Sequence, residues 1–194
     1  MSRSSITAPP RRVLSDKQAD TVDRLADAAV DELRQHGYDG LTVRNVARRA
    51  GVAAATAYTY FASKDHLVAE VFWRRLDALP RPGVDLGRSP RHRVAAALTG
   101  TGMLVADEPE LAAACTTAIL SNEPNVRRVR DAIGADIADR LAEALGPDGS
   151  PEILRLLTLV YSGALVQAGM GNLEYGDLSG RMDEAAGVIF GGEP

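Results

Sequence analysis

Residues 40–64 read GLTVRNVARRAGVAAATAYTYFASK, and no other stretch constrains the fold as tightly. Thr42 is placed to cap a short helix whose apolar stripe is Val43, Val46, Ala47 and Ala50. Gly51 then allows the positive φ of a tight turn, Val52 plugs the corner, and a second short helix is predicted over 53–61. Ala47 lies opposite the turn, where a small side chain lets the two helices approach closely. Val46, Ala47, Gly51, Val52 and Ala57 in this arrangement predict a helix-turn-helix, whose second helix enters the major groove of DNA.

The same stretch carries Arg44, Arg48, Arg49 and Lys64 and no acid. Small residues lead the second helix (Ala53, Ala54, Ala55), so its backbone can lie close to base edges, and Thr56 offers a hydroxyl and a methyl. Tyr58, Thr59 and Tyr60 follow consecutively and point in different directions, which puts at least one hydroxyl within reach of phosphate. The competing reading is a helical hairpin inside a core with tyrosines at its rim. Such a hairpin has no need of four cations without an acid.

Around this unit the residues run Gly37-Tyr38-x-Gly40-Leu41-Thr42-Val43-Arg44-x-Val46-Ala47-x-x-Ala50-Gly51-Val52, then Thr56-x-Tyr58-x-Tyr60-Phe61-x-Ser63-Lys64-x-x-Leu67. Over about residues 17–67 this pattern resembles the DNA-binding domain of the TetR family of bacterial regulators. The resemblance implies DNA contacts at Thr42, Val43 and Arg44, at Ala54, Ala55, Thr56, Tyr58, Thr59 and Tyr60, and at Lys64. Ala57 departs from the family, which usually has a large aliphatic residue there, and leaves a smaller plug beneath the recognition helix.

The rest of the chain reads as support and as a second helical body. Residues 1–14 are Ser/Pro-rich with Arg3, Arg11 and Arg12, and read as a disordered arm that is either a DNA-reaching basic tail or a solvated one. Ser15 with Gln18 predicts a capping box opening a helix that Gly37 ends. Ser63 is placed to cap a helix over 64–79 that Pro80 stops; in the resembling family it links DNA reading to sensing. A Pro/Gly-rich connection, 80–89, follows. Ser89-Pro90, Pro109, Asn122 with Pro124, Ser150-Pro151 and Asp177 then open five further helices, the fourth running to about residue 175. The expected fold is all-α, with an arm at 1–14, a helix-turn-helix domain at 15–62 and a ligand-binding and dimerisation domain at 63–194.

Charge divides the same way. Residues 1–80 carry twelve Lys and Arg against ten Asp and Glu, and residues 81–194 carry ten against sixteen. An acidic chain with a local basic face suits a small DNA contact rather than a general nucleic-acid coat. The single cysteine, Cys115, leaves no internal disulfide framework. No apolar run reaches the ~20 residues a membrane span needs, and no signal-peptide core opens the chain, so the expected location is the cytoplasm without membrane contact.

Thr99 and Met103 on one predicted helix, Cys115 and Thr116 on the next, and Tyr161 and Gln167 on the long one are candidate ligand contacts, because small and weakly polar residues among apolar helices leave volume and a few orienting groups. Close helix packing, with hydroxyls bonded to the preceding turn, is the alternative for each. Gly163, Gly169 and Gly171 cost helix stability and so need a packing reason. A two-fold dimer interface is expected there, as the resembling family has; packing within one subunit is the alternative. His36, His66 and His92 lie far apart without metal-ligand spacing, and no catalytic constellation, metal site or cofactor motif is evident. The expected function is therefore a DNA-binding repressor released from a pseudo-palindromic operator by a small organic inducer. The alternative is a helical enzyme or sensor whose helix-turn-helix is structural only.

Overall fold

The computed structural model describes residues 15–81 and 85–191, so the N-terminal arm and part of the 80–89 connection lie outside the described residues. Among the described residues the fold is all-α. The helices are α1 (Asp16–Gly40), α2 (Val43–Arg49), α3 (Ala54–Tyr60), α4 (Lys64–Ala78), α5 (Pro90–Gly102), α6 (Pro109–Ile119), α7 (Pro124–Leu145), α8 (Pro151–Gly169) and α9 (Leu178–Ile189).

Local chemistry sets most of these boundaries. Gln18 closes the capping box on Ser15 at the start of α1. Thr42, Ser63 and Ser150 each accept from the amide three residues on, satisfying one of the orphan donors at the starts of α2, α4 and α8. Gly37 takes φ 64° and kinks the end of α1, after which a last turn continues to Gly40. The long α8 stops short of its predicted end: Met170 caps it and Gly171 turns away at φ 77°. A short 3-10 turn, Tyr175–Asp177, then leads into α9, and Asp177 makes no side-chain cap.

One continuous apolar core runs through the molecule. Helices α1, α2 and α3 pack around Leu25, Val46, Ala47 and Ala57, all fully buried. Helix α4 leads out of that unit and lies against α6 and α7, while α5 lies against α7 and α9. Helix α1 also packs on α6, so the helix-turn-helix unit meets the second body through two helices rather than through α4 alone.

Candidate DNA interface and ligand cavity

The turn between α2 and α3 has the geometry its sequence demands. Gly51 sits at φ 65°, the Val52 amide donates to the Ala47 carbonyl at 2.9 Å, and Arg24 of α1 donates to the Ala50 carbonyl at 3.0 Å. Ala47 and Ala57 are both fully buried, so the smaller plug at Ala57 is a closed contact and not a void-lining edge. Outward from this frame, Thr42, Arg44, Arg48, Ala55, Thr56, Tyr58 and Thr59 are exposed, while Ala54 and Tyr60 are half-buried and pack on the core. The Thr59 hydroxyl donates to the Thr56 carbonyl at 2.6 Å, which fixes its rotamer.

Three side chains of this stretch have partners inside the fold. The Val43 side chain is buried in the core, which leaves only its backbone amide for a phosphate. Arg49 donates to Glu32 Oε1 at 2.6 Å and to Gln35, so its charge is spent on the buried carboxylate of α1. Lys64 donates to the Tyr38 carbonyl at 2.9 Å with Nζ 4.1 Å from the Tyr38 ring centroid. It ties α4 to α1, and the Tyr38 hydroxyl in turn bonds Asp65; burial, then that bond, pushes the Tyr38 pKa up. Arg44 and Arg48 remain exposed without an ion pair among the described residues.

His66 fastens the recognition helix to α4. Its Nδ1 accepts from the Ala62 amide at 3.2 Å and its ring lies edge-on to Phe61, which requires the neutral ring. Burial lowers its pKa, opposed by the Glu123 charge. The folded chain therefore takes up this proton less readily than the unfolded chain. Stability from this group is complete above the unfolded value, about pH 6.5, and declines as pH falls below it. Urea midpoints measured across that range should fall less steeply for His66→Gln than for the parent; equal slopes would rule out this role.

A cavity of about 250 Å³ opens among α4, α6, α7 and α8. Phe72, Cys115, Ile133, Ile137 and Tyr161 form its buried walls, and Leu120, Gly134 and Ser162 stand exposed at its rim. Of the residues expected to contact a ligand, Cys115, Thr116 and Tyr161 line it. Thr99, Met103 and Gln167 do not: Met103 is exposed beyond the end of α5, and Gln167 accepts from Asn172 on the surface. Thr116 donates to the Ala112 carbonyl and meets the Tyr175 hydroxyl at 3.0 Å. Burial pushes the Cys115 thiol up to about 12 against the pull of Arg75, so it is a neutral thiol and no nucleophile. Arg130, Phe72 and Tyr175 escaped the sequence reading; a lone arginine at the Ile133 and Ile137 register of α7 was the available signal.

The glycines of α8 divide into three situations. A Cβ on Gly169 would overlap Thr116, so the missing side chain serves close packing of α8 on α6 inside the subunit. Gly171 is the positive-φ turn that ends the helix. Gly163, inside the helix, is exposed with open space before it. It lies on a stripe of exposed residues at helical spacing, with Leu156, Leu159 and Met170, and Val188 is exposed on the neighbouring α9.

A basic-edged helix-turn-helix braced against a helical body with an internal cavity defines a DNA-binding transcriptional regulator. Residues 25–71 match the family profile described as bacterial regulatory proteins, tetR family. The HTH-type transcriptional regulator Rv0767c of Mycobacterium tuberculosis is 43% identical over 178 residues, covering 91% of this chain and 83% of that protein. The HTH-type transcriptional repressor KstR of Mycolicibacterium smegmatis is 28% identical over 187 residues, covering 92% and 91%. In fold, a TetR transcriptional regulator from Rhodococcus sp. RHA1 matches with a TM-score of 0.74 at 22% identity, covering 93% of this chain and 100% of that one. Thermus thermophilus FadR, solved with lauroyl-CoA, matches with a TM-score of 0.69 at 20% identity, covering 89% and 95%. The chain belongs to the TetR family of bacterial transcriptional regulators.

Proposed function

We propose that this regulator is a homodimeric repressor, released from a pseudo-palindromic operator when a small organic molecule fills the cavity. The observation that carries the reading is Phe72: it walls the cavity from α4, the helix that continues directly from the recognition helix. A ligand held better in one tilt of α4 than another shifts the population by that difference in affinity. The two recognition helices of a dimer must meet major grooves about 34–36 Å apart, so a change in their spacing is enough to lose the operator. The relative named a repressor and the neighbour solved with an acyl-CoA support both halves of the reading.

In this proposal residues 15–62 read DNA and residues 63–194 bind ligand and dimerise, in the cytoplasm. Thr56, Tyr58, Thr59 and Ala55 present the recognition helix to the groove, and Thr42, the Val43 amide, Arg44 and Arg48 meet phosphate. The exposed stripe of α8 with Val188 of α9 forms the two-fold contact. No helix among the described residues is long and apolar enough to cross a membrane, and no group of three or more His, Cys, Asp or Glu among them is placed to hold a metal.

The test is the salt dependence of operator binding, using DNA upstream of the chain's own reading frame. Log K against log salt should fall steeply, and Arg44→Ala should reduce the slope by about 1 for each subunit while the dimer persists. A flat dependence for the parent would return the helix-turn-helix to a structural role.

A further inference from the structure

The polar atoms around the cavity are mostly engaged by the fold itself. Thr116 donates to the Ala112 carbonyl at 3.2 Å and meets the Tyr175 hydroxyl at 3.0 Å, so those two side chains answer each other. The Tyr161 hydroxyl lies against Thr101 of α5, a residue outside the lining whose oxygen can accept from it. Cys115 stays a neutral thiol and packs as a small hydrophobe. Arg130, the one ionised side chain among the described lining residues, puts Nη1 on the carbonyls of Ile119 and Ser121 at 2.9 and 3.3 Å, so its charge meets the negative end of α6. The rest of the wall is largely hydrocarbon, with Phe72, Val105, Ile119, Ile133, Ile137 and Leu165 in it. Gly134 is a second, independent observation. A glycine inside a helix costs stability, and a close neighbour usually explains it, as Thr116 explains Gly169. Gly134 lines the cavity from within α7, stands exposed at its rim, and a Cβ there would meet no atom within 4 Å. Gly163 shares that openness but stands off the cavity.

We propose that the cavity takes up a compact, uncharged hydrophobe, and that Gly134 keeps its mouth open to that molecule. This rests on the cavity being the ligand site of the repressor reading. An apolar cavity of ~150 Å³ takes benzene, roughly 25 Å³ for each heavy atom. At about 250 Å³ this one takes a body of about ten. Hydrocarbon walls give water few of the two to four partners it needs, which favours an apolar occupant. A carboxylate would shed its hydration against those walls, or else stop at the mouth and compete with the α6 carbonyls for Arg130. Glycine at 134 leaves the rim low beside Ile133 and Ile137, the walls on the same helix. A branched side chain there would reach over the opening, whereas a single methyl would not.

Naphthalene and limonene, bodies of that size, are the probes, each compared by calorimetry on the full chain with its carboxylated counterpart, 2-naphthoate and perillate. Each hydrocarbon should bind at least about tenfold tighter than its acid, with a negative heat-capacity change. Gly134→Ala should raise the melting temperature of the unliganded protein, since alanine is the better helix former, and keep hydrocarbon binding within about twofold. Gly134→Leu should keep the fold and the dimer while weakening both hydrocarbons by about tenfold or more. A glycine without a role at the mouth would not separate alanine from leucine in this way. The inference is overturned if neither hydrocarbon binds, if the acids bind as tightly as the hydrocarbons, which makes Arg130 an anion anchor, or if Gly134→Leu binds like the parent. A Gly134→Leu chain that turns monomeric assigns the glycine to a subunit contact and likewise removes it from the mouth. Operator release is read separately. Hydrocarbon binding with the expected variant pattern, in a chain that ignores its operator, upholds the cavity chemistry and removes the repressor reading. Release by an anionic compound, undiminished in Gly134→Leu, does the reverse.

Discussion

Leu159→Glu combined with Val188→Glu is expected to yield monomers in sedimentation velocity and to cut operator affinity by about 100-fold or more. Leu159 is 70% exposed and Val188 83%, far more than a monomer needs to leave apolar side chains of this size in water. Leu156, Leu159, Gly163 and Met170 repeat at helical spacing, so the exposure is a stripe and not scattered residues. Symmetry multiplies the change, because a two-fold contact sets each substituted position down twice and every carboxylate buried in it must lose water. Loss of the dimer then removes the effective concentration that makes the second half-site nearly free to bind, a factor of ~10²–10⁴. Within the monomer both positions face solvent, so thermal stability of the isolated fold should change by no more than ~0.5 kcal/mol. An unaltered dimer, or a monomer with parental operator affinity, defeats the interface.

The sequence was most legible where chemistry acts within a few residues. Caps at Ser15, Thr42, Ser63 and Ser150, and the positive φ at Gly37 and Gly51, follow from side-chain reach and backbone sterics. What it hid were pairings across the fold. Arg49 and Lys64 looked like free cations because their partners, Glu32 and Tyr38, lie on α1. A signal did exist: Glu32 shares the core-facing register of Ala28, Ala29 and Leu33, where a lone acid needs a buried cation. Gly169 and Gly163 read alike in sequence and differ in the structure, since only the neighbour, Thr116 or open space, distinguishes them. Glu108 was also invisible. It receives Arg34 of α1 at 3.0 Å and Arg75 of α4 at 2.6 Å just before α6, joining the reading unit to the cavity wall by ions that sit 74 and 33 residues away.

The largest loss of stability should come from Arg140→Ala, by about 3–5 kcal/mol and roughly 10 °C in melting temperature. Arg140 is 4% exposed on α7 and closes the end of α4. Its Nη2 donates to the Leu76 and Leu79 carbonyls, both at 2.9 Å, its Nη1 to the Pro80 carbonyl at 3.3 Å, and its Nε to Asp136 at 2.5 Å. The Leu76 carbonyl also accepts from the Leu79 amide at 3.1 Å, but the Leu79 and Pro80 carbonyls are orphans of the kind every helix C-terminus leaves, made acute here because Pro80 forbids another turn. Alanine would strand them together with Asp136, which keeps only Arg81. Arg140→Lys should recover a minor part, since an ammonium cannot span carbonyls and a carboxylate as a planar fork does; full recovery would show that charge alone suffices. The position also couples sites. Ile133, Gly134 and Ile137 of the same helix line the cavity, one to two turns before Arg140. A ligand that displaces α7 therefore pulls on the far end of α4 while Phe72 feels it from within. In Arg140→Lys, if the fold persists, ligand binding measured by calorimetry should be kept while its effect on operator affinity shrinks. Undiminished release in that variant would place the coupling elsewhere, on Glu108 and its two arginines.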